Sequence, residues 1–133
     1  MPTPEEILEQ INSCKYRELS ITGRELKALS EIISIQERVY KIIEGHLDEA
    51  EGPGFAIATN GRIIFLHVQY RLFGPNHIWK LFFNYKEEFS CEVASNRLKA
   101  RSSAKSATLS EIYRSEGKDF CQFVRKEVEY LRR

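Results

Sequence analysis

The chain of 133 residues has only three cysteines, one tryptophan, one methionine and four prolines. No apolar run approaches the ~18 residues that cross a bilayer. Cys14, Cys91 and Cys121 are odd in number and widely spaced, which suits neither a disulfide framework nor a zinc motif. The expectation is three free thiols packed as core residues in a reducing cytoplasm. Met1 to Glu9 carries three glutamates and no lysine or arginine, the opposite of a secretory leader.

Catalytic patterns are also missing. No Gly-x-Ser-x-Gly elbow and no Gly-Lys-Ser/Thr phosphate loop occurs. No cysteine has a histidine close in sequence to activate it. His67 and His77 flank a loop and can meet across a hairpin, but two imidazoles without a third ligand rarely hold a metal; His46 has no evident companion. Glu87-Glu88 reads as an ordinary surface turn. The chain is therefore expected to carry no catalytic residue, metal or cofactor and not to be an enzyme.

What is present is a globular composition, 42% hydrophobic and 29% charged, enough for one core of ordinary size. The net charge of +1 hides a division. Residues 1–60 carry 6 Lys/Arg against 11 Asp/Glu, net −5, and residues 61–133 carry 14 against 8, net +6. Two differently charged solvated faces explain this; a head-to-tail self-contact is the alternative.

Two short helices open the chain. Thr3-Pro4-Glu5-Glu6 has the pattern of a capping box with proline at the first helical position, followed by an apolar stripe of Ile7, Leu8, Ile11 and Cys14. Thr22-Gly23-Arg24-Glu25 repeats the cap before Leu26, Leu29, Ile32 and Ile33. Neither is long enough to be stable alone, so each needs a surface to dock on, within the chain or on a neighbour. Tyr70, Leu72, Phe73, Trp79 and Phe82 are more large apolar groups than one face of a small sheet needs, and some are expected beneath these helices.

From residue 37 the period shortens to two. Strands are expected over 37–47, 55–59, 62–69, 78–84, 89–94, 97–101 and 107–113. Asn60-Gly61 is expected to supply both positive-φ positions of a type I′ turn. The end is helical: Ser115 is the expected N-cap of about 16 residues whose apolar arc is Phe120, Phe123, Val124, Val128 and Leu131. Glu127 interrupts that arc and is expected to pair with a cation at the rim of the sheet.

Three stretches resemble a known family. Ala58-Thr59-Asn60-Gly61-Arg62-Ile63-Ile64-Phe65 is similar to the hairpin of bacterial pleckstrin-homology-like (PH-like) domains, Phe83-Asn84-Tyr85 to their short aromatic motif, and Phe120 to Leu131 to their closing helix. The resemblance covers residues 30–131. The chain departs from it at Lys86-Glu87-Glu88, where the family usually returns to an apolar residue sooner. The expected fold class is α+β: a strongly bent seven-stranded antiparallel sheet, a partly open barrel, capped by a C-terminal helix. Residues 1–34 would form a helical extension and residues 35–133 the PH-like domain.

Binding residues are sought among the cations. Eukaryotic relatives of this fold hold inositol phosphates at the loop joining the first two strands, but here that loop is Asp48-Glu49-Ala50-Glu51-Gly52-Pro53-Gly54, with three carboxylates and no cation. Like charges argue against phosphoinositide binding there. Arg97, Lys99 and Arg101, with Lys105 beyond them, fall in a stretch free of acids, and alternate spacing puts the first three on one face. They form the candidate anion- or partner-binding residues; the plainer reading is a solvated strand, or an edge guarded by charge. The expected function is a non-catalytic binding or assembly module of the bacterial PH-like type, acting on a protein partner or on itself as a homo-oligomer. The alternative is a peripheral module that binds an anionic membrane or nucleic acid through the basic strand.

Overall fold

Two helices, seven strands and a closing helix follow one another in the order expected. The structure, a computed structural model, describes residues 1–133. Helices α1 (Pro4–Cys14) and α2 (Gly23–Ile32) precede β1 (Val39–Leu47), a single 3-10 turn (Asp48–Ala50), β2 (Gly52–Thr59), β3 (Arg62–Gln69) and β4 (His77–Asn84). Then come β5 (Ser90–Ala94), β6 (Arg97–Arg101), β7 (Ser106–Ser110) and α3 (Arg114–Leu131). The strands make one antiparallel sheet in the order β4-β3-β2-β1-β7-β6-β5, so β4 and β5 are its two free edges. The fold is α+β and the sheet is not closed.

The sheet is buried on both faces where β1, β2 and β3 run side by side, which explains the near-continuous burial of Phe55 to Thr59 and Ile63 to His67. Its outer face carries Ile42, Ile57, Ile64 and Leu66, and α1 and α2 cover it with Ile7, Ile11, Ala28, Leu29 and Ile33. The N-terminal helices therefore dock within the chain. The inner face joins Ile43, Phe65 and Phe83 to Leu98, Leu109 and the α3 residues Phe120, Cys121 and Val124 in one core.

That shared core requires the sheet to bend. β1 pairs with β2 along its length but meets β7 only at His46 and Leu47, so the two halves diverge from the end of β1. Gly45 lies at the divergence: a Cβ there would collide with the Ser110 carbonyl oxygen and stand 2.9 Å from Ile112 Cγ2. At the far side the Lys105 ammonium, from the β6–β7 turn, donates to the Phe82 carbonyl on the edge strand β4 and lies 4.9 Å from the centre of the Phe83 ring. α3 fills the mouth between the halves, with Phe120 fully buried and Tyr40 stacked on Phe123 at 5.6 Å. Tyr40 reaches it because β1 slips its register between Val39 and Lys41.

Several local expectations are corrected. Neither Asn60 nor Gly61 has positive φ, so the β2–β3 connection is not a type I′ turn. Thr59 Oγ1 instead accepts the amides of Gly61 and Arg62, both at 3.1 Å, and the Asn60 side chain bonds Gln36 O and Arg38 N. Side-chain bonds replace the backbone geometry that the dipeptide alone suggests. Positive φ occurs at Glu51, Ser95, Glu111 and Gly74. Ser115 lies inside α3; the helix starts at Arg114 after Tyr113, which makes no side-chain cap, and runs 18 residues. β2 begins earlier than expected, at Gly52, and β7 ends earlier, at Ser110. Thr22 and Glu25 form a full capping box, the Thr22 amide donating to the Glu25 carboxylate, whereas Thr3 accepts the Glu6 amide and meets the Glu6 carboxylate only through its hydroxyl.

Candidate functional site

Strand β6 presents Arg97, Lys99 and Arg101 outward and buries Leu98 and Ala100, as strict alternation requires. The three cations are exposed and none stands in an ion pair, although Glu92 on β5 lies directly across from Lys99. β6 is not an edge: β5 and β7 flank it, and their outward residues Ser90, Ser106 and Thr108 give the cations hydroxyl neighbours. Lys105 does not join the stripe. It is held by the Phe82 carbonyl and by Glu87 Oε2 at 3.3 Å, so its charge ties the β6–β7 turn to the edge strand β4 and the turn that follows it.

Beside the stripe lies a cleft that the sequence pattern did not single out. Edge strand β5 and the second half of α3 enclose about 500 Å³ floored by Phe89, Cys91, Val124 and Val128 and rimmed by Arg125, Arg132, Arg133 and Glu129. Arg125 Nη2 donates to the Cys91 carbonyl at 2.8 Å, so that carbonyl faces α3 rather than β6. Arg132 Nη2 donates to the Glu87 carbonyl at 2.7 Å. Phe89 and Arg132 also border a shallower depression with Ser90, Arg101, Ser102 and Ser103, so the apolar cleft leads onto the basic face at Arg101. The signal available in the sequence is the seven-residue interval from Arg125 to Arg132, which puts both on one helix face next to Val124 and Val128.

The remaining candidates are occupied elsewhere. Asp48 accepts the Ser110 hydroxyl and Glu49 the Thr108 amide, so two of the three loop carboxylates brace β7. His67 is buried with Nδ1 2.6 Å from the Pro53 carbonyl, His77 is exposed, and no cluster of three His, Cys, Asp or Glu is present. Glu127 is half-buried and makes no ion pair, correcting the expected rim pairing. Arg125 and Arg132 bind backbone carbonyls instead.

Perturbed titrations trace structural networks. Burial pushes the Glu37 carboxyl up, but Arg62 outweighs it, with the Ser34 amide and the Thr59 hydroxyl, and the net pKa falls below the ordinary carboxylate value. Arg62 clasps Glu37 through Nε and Nη2 at 2.9 and 2.8 Å, and Nη2 also donates to the Ile32 carbonyl at 2.8 Å, tying α2 to the hairpin. The Tyr16 hydroxyl and then Lys41 lower the Asp119 carboxyl. Arg17 bonds Glu116 and lies 3.5 Å over the Tyr113 ring. The α1–α2 connection is thereby strapped to the start of α3. Burial raises the Tyr85 hydroxyl, which donates to the Thr59 carbonyl at 2.8 Å.

Of the surplus aromatics, Phe82 packs with the N-terminal helices and Trp79 with the inner core. Leu72 and Phe73 stay 75% and 86% exposed in the β3–β4 connection. No helix is long and apolar enough to cross a membrane. No protein-family model and no curated protein matches the chain.

Proposed function

We propose that the chain is a non-catalytic binding or assembly module of the bacterial PH-like type, working in the cytoplasm. It takes an extended segment of a protein partner, or of a second copy of itself, along the β5 edge beside α3. The observation that carries this reading is the coincidence of a strand edge with no neighbouring strand, where Arg125 takes only the Cys91 carbonyl, with an apolar cleft and a basic rim in one place. A free edge offers backbone donors and acceptors to an added strand, and pockets beside it select alternate side chains. Arg125, Arg132 and Arg133 against the single Glu129 favour a segment with acidic residues. The acidic first half of the chain, net −5, has the charge that a second copy would bring to this rim.

The non-catalytic part of the reading draws on where the perturbed groups lie. Glu37, Asp119, Tyr16 and Tyr85 all spend their bonds in joints between elements. Phosphoinositide capture at the β1–β2 connection is disfavoured by its carboxylates, two of which hold β7.

The test is affinity purification from the native host with the wild type and a Val128→Glu/Arg132→Glu variant, read by mass spectrometry. The partner is expected to vanish with the cleft variant and to persist with Arg97→Ser/Lys99→Ser/Arg101→Ser; an unchanged partner set in both would overturn the reading. For self-association, light scattering at ~100 μM reports a dimer if the interface is stable, since such contacts survive that concentration.

A second reading rests on the three unpaired cations of β6, which suit an anionic lipid surface or a nucleic-acid backbone. It predicts retention on heparin and on anionic vesicles that weakens steeply with salt and disappears in the Arg97→Ser/Lys99→Ser/Arg101→Ser variant.

A further inference from the structure

Cys91 lies on the inner face of β5 and Cys121 on the buried face of α3, 5% and 2% exposed. Their sulfurs are 2.7 Å apart, both as free thiols. Unbonded heavy atoms pack at about 3.5–4 Å, so the fold presses this pair toward bonding distance. Nothing in the networks of Glu37 or Asp119 uses either thiol. Cys14 belongs to the opposite side of the sheet, packed against the cluster that α1 and α2 form with β1–β3. The chain thus holds one matched pair and one built-in control.

We propose that Cys91 and Cys121 form an intrachain disulfide that ties α3 to β5 when the chain meets a low-molecular-weight disulfide oxidant such as oxidised glutathione. One protein thiolate attacks a glutathione sulfur, the glutathione S–S bond breaks, and one glutathione leaves as thiolate. The neighbouring protein thiol gives up its proton and attacks the protein sulfur of the mixed disulfide, expelling the second glutathione. Two protein thiols lose two protons and two electrons, and one oxidised glutathione becomes two reduced ones. The shared S–H···S contact with Cys121 and then burial raise the Cys91 thiol, so attack awaits loosening of α3 or occurs during folding, before the pair is enclosed. The bond closes a loop between positions 30 apart, joining the helix that fills the mouth of the sheet to an edge strand. The inference stands on the sulfur geometry and is independent of the cleft reading.

The test refolds the full chain from urea in a glutathione redox buffer, alkylates free thiols, and maps the peptides. Expected are a Cys91–Cys121 link, an alkylated Cys14, and an unfolding midpoint about 10 °C above that of the dithiothreitol-reduced protein. The Cys14→Ser variant should behave alike, and Cys121→Ser should lose the shift. Two alkylated core thiols after refolding under oxidised glutathione, a link through Cys14, or an unchanged midpoint in the linked protein would each overturn the proposal.

Discussion

Glu37 illustrates how much one side chain organises. It precedes β1 and receives Arg62 by two bonds, the Thr59 hydroxyl at 2.9 Å and the Ser34 amide at 3.1 Å, joining α2, the start of β1 and the β2–β3 hairpin. Its depressed folded-state pKa means that the carboxylate stabilises the fold above its ordinary value of 4.5, and that this contribution is lost as pH falls through the folded value. Glu37→Gln should therefore cost about 1–3 kcal/mol at neutral pH by urea unfolding, and the gap to wild type should narrow as the pH drops below the carboxylate range. A gap that is unchanged in acid would show that the charge of Glu37 is not what the network uses. Gly45 tests the bend of the sheet in the same way. Its absent Cβ leaves room for the Ser110 carbonyl, a backbone atom that cannot swing aside. Gly45→Ala should destabilise by about 1–3 kcal/mol.

Among the elements, what the sequence made legible was what depends on neighbours in sequence. Alternation located β6 to the residue, the unbroken apolar run after Asn60-Gly61 located β3, and the Thr22/Glu25 box located α2, because side-chain period and capping are set within a few positions. The misread features depend on distant partners. Asn60-Gly61 alone points to a type I′ turn, yet Thr59 and the Gln36–Arg38 segment settle the turn differently. Lys105 continues a run of basic residues in sequence, but the β6–β7 turn folds over β4 and takes it to the Phe82 carbonyl, 23 positions away. The turn offers a decisive check. With φ negative and no atom within 4 Å of a built Cβ, Gly61→Ala should be neutral or stabilising by about 0.4–1 kcal/mol in thermal or urea unfolding. A type I′ turn would instead make it costly. Likewise Phe120→Ala, which empties the centre of the α3 plug, should cost about 3–5 kcal/mol.

The whole molecule joins two differently charged halves across a single bent sheet. Residues 1–60 supply the acidic helix α1, the acidic β1–β2 connection and the first strands, and residues 61–133 supply the basic stripe and the cationic rim of α3. The candidate stripe of Arg97, Lys99 and Arg101 was visible from spacing alone, whereas the cleft was not, since it forms only where α3 lies against β5. Salt-dependent retention on heparin measures the stripe, and its loss in the triple serine variant is expected to change the unfolding free energy by no more than about 0.5 kcal/mol per substitution, because these side chains are solvated. The claim that binding occurs at the β5 edge is tested most directly by photo-crosslinking in the native host. A photoreactive residue placed at Glu129, exposed on the rim of the cleft, is compared with one placed at Phe73 in the β3–β4 connection and one at Lys99 on the basic face. The account predicts a discrete protein adduct from position 129 that disappears with Val128→Glu/Arg132→Glu. Adducts confined to positions 73 or 99, with none at 129, would contradict it.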